Sequence, residues 1–157
     1  MTNNIEMQIN SLLNIERTRS DIHCQSKKRA IELISELAAI QLNLSPKVVC
    51  EAILTRERMG STGIGHGIAI PHGKLEQNKL HTLGVFIRLE QPIIFDAIDN
   101  RPVDLLFALL VSSEQCKNHL HILSLVTKKL TDKTLCRRLR AAQSDRELYH
   151  IFTENGK

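Results

Sequence analysis

The chain has 157 residues, of which 42% are hydrophobic and 24% charged, and its formal net charge is +4. A chain of this length and composition is typical of one compact globular domain, which excludes disordered, collagen-like and fibrous proteins. Its apolar runs are far shorter than the roughly 20 residues of a membrane-spanning helix, and its first residues lack the features of a secretory signal. We therefore expect a single cytoplasmic domain over 1–157, with a core from about 10 to 153 and no membrane insertion.

Two helices are predicted in the first half of the chain. Apolar residues recur with helical spacing over 30–38, after Ser26, which is a suitable N-cap. A second helix is expected to begin with Ser45 as N-cap and Pro46 as its first residue. It should run to about Met59, because a glycine follows there.

Two strands and three more helices are predicted in the second half. Residues 83–89 are typical of a strand ended by Pro92, residues 92–102 of a loop or hairpin, and the nearly all-apolar stretch 103–111 of a central strand buried on both faces. A third helix, capped within 113–115, should run to about Leu130. Shorter helices should begin at Asp132 and Ser144. Helices that alternate with a few apolar strands predict an α/β fold with a partly parallel sheet.

Five of the seven glycines lie between positions 60 and 73. Closely spaced backbone amides in such a segment can bind an anion, although a surface loop with bulges would have the same composition. The spacing fits neither a P-loop, which needs four residues before Gly-Lys-Ser/Thr, nor the G-x-G-x-x-G motif of dinucleotide-binding proteins. We therefore expect no nucleotide and no other cofactor.

His72 stands between Pro71 and Gly73 at the end of this segment. Proline stiffens the backbone before the histidine, and glycine removes a neighbouring side chain, so one face of the imidazole should be open. A neutral imidazole is a good nucleophile near neutral pH. His72 is therefore a candidate nucleophile, although an isolated loop histidine is more often without a role.

Arg56 shares one face of the second helix with the apolar residues Val49 and Ile53, one turn before the glycine segment. A guanidinium on a core-facing side requires an anion. That anion is either a structural carboxylate, such as Glu57 or Asp96, or a phosphoryl group held against the candidate nucleophile.

The other histidines and the cysteines give weaker signals. His119 begins an apolar stripe and should lie on the inner face of the third helix, whereas His121 should be exposed and His66 incidental. Their spacing does not suit a metal site, so we expect no metal. The four cysteines contain no C-x-x-C pair and are expected to be reduced apolar residues.

Basic residues concentrate in one later part of the chain. Such a run is usually a solvated helix face, and a chain with no Trp, one Tyr and four Phe has few aromatic rings on which to stack bases. We therefore expect no binding to nucleic acid. The cluster comprises Lys128, Lys129, Lys133, Arg137, Arg138 and Arg140.

Residues 54–74, LTRERMGSTGIGHGIAIPHGK, resemble the active-site region of the IIA components of the bacterial phosphotransferase system. The mannitol/fructose-type superfamily is the one resembled, and its nitrogen-related branch in particular, because the similarity extends to residues 102–111, 119–126 and 136–145. The resemblance implies a single-domain α/β sandwich with a mixed, mostly parallel sheet flanked by helices.

The resemblance also implies residue roles. His72 would accept a phosphoryl group at Nε2 from a phosphohistidine on a small HPr-like carrier protein. Arg56 corresponds to the active-site arginine of the family, and His119 to its second histidine. The residues expected to bind the phosphoryl group are Ser61, Thr62, Gly63 and Gly73.

The function implied is that of a phosphotransferase component with a phosphohistidine intermediate and a regulatory role. In the nitrogen-related branch, the two phosphorylation states bind different proteins, including potassium-transport and sensor-kinase proteins. One alternative is a sugar-specific IIA protein that passes phosphate to a separate IIB protein. Another is a binding module whose glycine segment is only a docking surface, and which is not phosphorylated at all.

Overall fold

The computed structural model describes residues 9–76, 82–112 and 116–154, with residues 116–118 described by their backbone alone. A short 3-10 helix (Ile15–Arg17) precedes the first strand. The strands are β1 (Thr18–Ile22), β2 (Gly63–Gly65), β3 (Ile68–Ala69), β4 (His72–Leu75), β5 (Leu83–Ile93) and β6 (Val103–Ser112). The α-helices are α1 (Lys27–Leu42), α2 (Pro46–Glu57), α3 (Cys116–Leu130), α4 (Lys133–Ala141) and α5 (Asp145–Thr153).

The strands form one mixed sheet in the order β1-β5-β6-β3-β2, and β4 also pairs with β6. The pairs β1–β5, β3–β6 and β4–β6 are parallel, whereas β5–β6 and β2–β3 are antiparallel. Strand β6 is central, and every residue in it except Asp104 is buried. The predicted central strand and mixed sheet are therefore confirmed.

Helices cover both faces of the sheet. Successive side chains of β5 and β6 point to opposite faces, so both faces carry side chains that are buried under a layer of helices. One face packs against α1 and α2, and the other against α3, α4 and α5. None of the helices in the described ranges is long and apolar enough to cross a membrane. The first core includes Ile31, Ile34, Ile53, Val85, Ile87, Leu106 and Ala108. The second includes Phe86, Phe107, Ile122, Val126, Leu139 and Phe152.

The helix boundaries follow local capping chemistry. The side chains of Ser26 and Ser45 accept hydrogen bonds from the first turns of α1 and α2, and Asp132 and Ser144 do the same for α4 and α5. These predicted starts are confirmed, while helix α2 ends at Glu57 and therefore slightly before the predicted limit. The cap predicted within 113–115 lies outside the described residues.

The prediction that Pro92 ends a strand is wrong. Strand β5 continues through Pro92 to Ile93, and its register against β6 shifts after Arg88. Proline is tolerated at such an irregularity because the strand residue there need not donate an N–H to the ladder. The hairpin predicted over 92–102 is present, with 94–102 connecting the two strands.

Gly73 determines how closely the sheet approaches α2. A Cβ atom on Gly73 would lie 2.8 Å from the carbonyl carbon of Ala52 and 2.9 Å from the nitrogen of Ile53. These are backbone atoms of α2, which cannot move aside as a flexible side chain would. The contact brings the start of β4, and with it His72, against the last turns of α2.

Candidate functional site

The ring of His72 is oriented by a hydrogen bond to the backbone. Its Nδ1 lies 2.9 Å from the carbonyl oxygen of Ile70. A carbonyl oxygen can only accept, so Nδ1 carries the hydrogen and Nε2 keeps a free lone pair when the ring is neutral. His72 is half-buried at the first position of β4. The nitrogen that keeps a lone pair for a further contact is therefore Nε2.

The surroundings of His72 favour its neutral form. Burial lowers the pKa of this histidine below its ordinary value, the hydrogen bond to Ile70 raises it, and the positive charges of Arg56 and Lys74 lower it further, with Glu57 acting in the opposite direction. The net shift is downward. At neutral pH the ring is thus uncharged and lies in positively charged surroundings.

His119 lies beside His72, as an inner-face position on α3 predicts. The two ring centroids are 5.0 Å apart, and the rings are tilted by 49°. His119 is 7% exposed, and its Nδ1 is buried without a hydrogen-bond partner in the described part of the chain. Burial lowers the pKa of His119, and repulsion from His72 when that ring is protonated, and from Lys74 and Arg56, lowers it further. His121 is exposed, as predicted.

Arg56 lies in the last turn of α2 and has no carboxylate partner among the residues that the structure describes. Its Nη1 donates to the carbonyl oxygen of Gly60 at 2.8 Å. Glu57, one of the two predicted structural partners, instead pairs with Lys27. Because a guanidinium has five N–H groups, most of those on Arg56 remain available to an anion.

Glu57 anchors the beginning of the glycine segment. Its side chain is 4% exposed and forms an ion pair with Lys27, with 2.8 Å between Oε1 of Glu57 and Nζ of Lys27. It also accepts hydrogen bonds from the backbone N–H of Thr62, at 3.2 Å, and from the Thr62 hydroxyl. The Lys27 ammonium lies over the ring of Phe95, 4.5 Å from its centroid. These contacts tie together α1, α2, the glycine segment and the connection after β5.

Ser61 and Gly63 are used in internal contacts. The hydroxyl of Ser61 donates to the carbonyl of Phe95 at 2.7 Å and accepts from the N–H of Gly63 at 3.0 Å. A Cβ on Gly63 would lie 2.7 Å from the Cβ of Ala97. Both residues therefore hold the glycine segment against the connection after β5.

The polar groups of Thr62 are likewise bound to Glu57, and Gly73 is needed for packing against α2. The structure thus gives the four predicted phosphoryl-binding residues a role in shaping the segment. Their binding of a phosphoryl group stays a prediction.

Two effects on the site were not identified from the sequence: the charge of Lys74 near the two histidines, and the contacts by which Glu57 holds the glycine segment. Lys74 stands two residues after His72 on β4 and therefore shares its face of the sheet. It is exposed, and its charge lowers the pKa of both His72 and His119. The strand alternation could have indicated Lys74. The contacts of Glu57 depend on long-range packing, which no local pattern reveals.

His66 is not brought to this site. It lies in the turn between β2 and β3 with φ +57°, and lines a separate cleft that does not include His72. Within residues 9–76, 82–112 and 116–154, no three His, Cys, Asp or Glu side chains form a group that could hold a metal ion.

Known proteins match nearly the whole chain. A family model described as phosphoenolpyruvate-dependent sugar phosphotransferase system, EIIA 2, matches residues 11–155. The nitrogen regulatory protein of Escherichia coli strain K12 is 71% identical over 155 residues, which cover 98% of this chain and 95% of that protein.

Solved structures match the fold. The nitrogen regulatory protein IIA-Ntr of Neisseria meningitidis superposes with a TM-score of 0.87 at 36% identity, covering 92% of this chain and 99% of that one. The IIA mannitol protein of Escherichia coli has a TM-score of 0.74 at 23% identity, over 89% of this chain and 98% of its own, and therefore shows the fold alone. The predicted α/β architecture is confirmed.

Replacing the buried carboxylate should destabilise the fold more than replacing an exposed one on the same helix. Glu57→Gln leaves Lys27 without its counter-ion, and we expect a loss of about 3–5 kcal/mol in the free energy of unfolding. The matched control is Glu51→Gln, because Glu51 forms an exposed pair with Arg58 at 3.0 Å; it should cost less than about 1 kcal/mol. Urea denaturation measures both, and equal losses would contradict the anchoring role of Glu57.

The pKa values of the two site histidines should respond to one nearby charge. In NMR titrations, His72 and His119 should both titrate below free histidine, and Lys74→Ala should raise both pKa values because it removes a repulsive positive charge. Lys28→Ala removes an equal charge from an exposed position on α1 and serves as the control. Unchanged values in Lys74→Ala, or equal shifts in the control, would show that Lys74 does not act on the site.

Proposed function

This chain belongs to the EIIA 2 family of the phosphoenolpyruvate-dependent sugar phosphotransferase system, and we propose that it accepts a phosphoryl group on Nε2 of His72. The donor is a phosphohistidine on a small HPr-like carrier protein. The observation that carries the proposal is the hydrogen bond from Nδ1 of His72 to Ile70, which leaves Nε2 as a free nucleophile.

The transfer needs no separate base. A bond forms between Nε2 of His72 and phosphorus while the bond between phosphorus and the protonated imidazole of the carrier breaks, and the imidazole of the carrier leaves as a neutral ring. The ring of His72 then becomes a phosphoimidazolium whose Nδ1–H still donates to the carbonyl of Ile70. Because His72 is neutral before the step, its lowered pKa keeps the reactive form available at slightly acidic pH.

Positive charge around His72 would stabilise the transferred group. The free N–H groups of Arg56 and the ammonium of Lys74 face the charge that a phosphoryl group carries, and positioning with electrostatic stabilisation supplies most of the catalysis in such transfers. His119 confines the ring of His72 and is available to hydrogen-bond a phosphoryl oxygen. Ser61, Thr62, Gly63 and Gly73 shape the wall of this site.

Phosphorylation would also change what the surface can bind. A phosphoryl group adds up to about two negative charges to a rim that is now cationic, and such a change alters affinity for protein partners. Large apolar side chains lie exposed in the neighbouring segments, including Met59 at 76%, Ile94 at 78% and Ile98 at 83%, as expected of a protein-binding surface. We therefore propose a regulatory role in the cytoplasm.

Three relatives, at 69–71% identity, are named nitrogen regulatory proteins, and the role proposed here is of the same kind. The expected partners are the carrier protein and regulated proteins, of which potassium-transport and sensor-kinase proteins are the classes that the resemblance implies. These would recognise one phosphorylation state over the other. A potassium-transport partner would link the protein to potassium homeostasis.

Labelling by a phosphorylated HPr-like donor tests the proposal. We expect acid-labile phosphate on the wild-type protein, a ³¹P NMR signal of Nε2-phosphohistidine, and no label on His72→Ala. The control His66→Ala removes an exposed histidine outside the site and should be labelled normally. Label on another residue, or label that survives His72→Ala, would refute the proposal.

Removal of the free guanidinium should slow transfer without unfolding the protein. Arg56→Ala should reduce the rate by about 10²- to 10³-fold, as the loss of one preorganised donor does in other active sites. Arg58→Ala removes a neighbouring exposed arginine that pairs with Glu51 and should transfer at the wild-type rate. Equal rates of phosphoryl transfer in the two variants, measured at equal thermal stability, would show that Arg56 has no role in the transfer.

The alternatives give different results in the same system. A sugar-specific role would appear as efficient onward transfer to a fructose- or mannitol-type IIB protein. A docking module without phosphorylation would take no label, and its affinity for partners would be indifferent to His72→Asp, which places a negative charge at the site.

A further inference from the structure

A second cavity lies apart from the histidine pair. It is a cleft of about 720 Å³ between the turn that joins β2 to β3 and one face of α4. Its volume falls within the range of roughly 300–1,000 Å³ that is typical of small-molecule sites. Neither His72 nor His119 lines it, so it is separate from the proposed phosphoryl site.

Helix α4 supplies one wall of the cleft with a regular row of side chains. Lys133, Cys136, Arg137 and Arg140 stand at positions i, i+3, i+4 and i+7, which places them on a single face of the helix. Three of these four side chains are cationic. The basic run that the sequence shows as a solvated helix face is therefore partly directed into a cavity.

Arg140 is held in place at the back of the cleft. It pairs with Asp104, with an Nη2-to-Oδ1 distance of 3.0 Å, and donates to the carbonyl of His66 at 2.8 Å. A Cβ atom on Gly67 would lie 2.6 Å from Nη2 of Arg140, so a glycine is needed where the guanidinium lies against the turn. This part of the cleft is preorganised, which reduces the cost of binding a ligand there.

The other cations of the cleft are not all matched by carboxylates. Arg101 lies near Asp99: backbone hydrogen bonds from His66 and Arg101 lower the pKa of that carboxyl, and the Arg101 charge lowers it further. Lys133 and Arg137, in contrast, form no ion pair with any carboxylate in the described ranges. Two positive charges one helical turn apart therefore face the cleft without counter-ions.

Apolar surface lies between these charges. Part of the cleft wall is formed by Ile64, Ile68, Pro92, Pro102 and Leu130. Asp132, the N-cap of α4, accepts from the first backbone N–H groups of the helix, so a ligand would be bound by side chains rather than by the helix terminus.

We propose that this cleft binds a small organic anion with at least two negative charges on an apolar or planar body, of the class of phosphate and diphosphate esters. The two unmatched cations, Lys133 and Arg137, bind its charged group, and the apolar wall covers its body. A concave site of this size suits a small molecule better than an acidic peptide, which would need an extended surface.

Titration with ADP as the probe tests this proposal on the full chain. Calorimetry should show saturable binding with a Kd below about 1 mM, with NMR shifts confined to residues 64–68 and α4. Pyrophosphate, which lacks the apolar body, should bind more weakly, and adenosine, which lacks the charge, should not bind. His72→Ala should bind ADP as the wild type does, which separates this site from the proposed function.

Charge-matched variants locate the site. Lys133→Ala/Arg137→Ala should weaken ADP binding at least about tenfold, because it removes both unmatched cations that would donate charged hydrogen bonds to the phosphate oxygens. Lys28→Ala/Arg146→Ala removes the same charge from exposed positions outside the cleft and should leave binding unchanged. No saturable ADP binding, or equal weakening in both variants, would overturn the proposal. Tight binding of an acidic peptide without binding of ADP would also overturn it.

Discussion

The chemistry proposed for this protein depends on one hydrogen bond, from Nδ1 of His72 to the carbonyl oxygen of Ile70. This hydrogen bond joins residues only two positions apart, but the pairing of β4 with β6 fixes the backbone that allows it to form. The N–H of Leu109 in β6 donates to the carbonyl of Pro71 at 2.9 Å, at the break between β3 and β4. The central strand thus holds the backbone at Pro71, and the hydrogen bond to Ile70 then orients the imidazole of His72.

Charge is distributed so that the site remains cationic. The buried carboxylate of Glu57 is matched by Lys27, which leaves Arg56 without a carboxylate among the described residues. Arg56 and Lys74 both act on His72 to lower its pKa. The same arrangement therefore keeps the ring of His72 neutral and provides the positive potential that the proposed phosphoryl group would require.

Local chemistry explains what the sequence could predict, and long-range contacts explain the rest. The serine caps and the apolar stretch of β6 are encoded by neighbouring residues. The role of His72 as a nucleophile, which is also inferred from its neighbours, stays a prediction. The continuation of β5 through Pro92 depends on a register shift against another strand, which has no local signature. The contacts of Gly63 and Gly73 with Ala97 and α2 are likewise made between distant segments, so the local sequence could not show that these two glycines are required for packing.

Long-range ¹H–¹⁵N NMR correlation of the unphosphorylated protein at neutral pH measures the tautomer of the His72 ring directly. We expect His72 to be neutral, with its hydrogen on Nδ1 and with the ¹⁵N shift of an unprotonated Nε2. A hydrogen on Nε2, or a doubly protonated ring at neutral pH, would contradict this expectation.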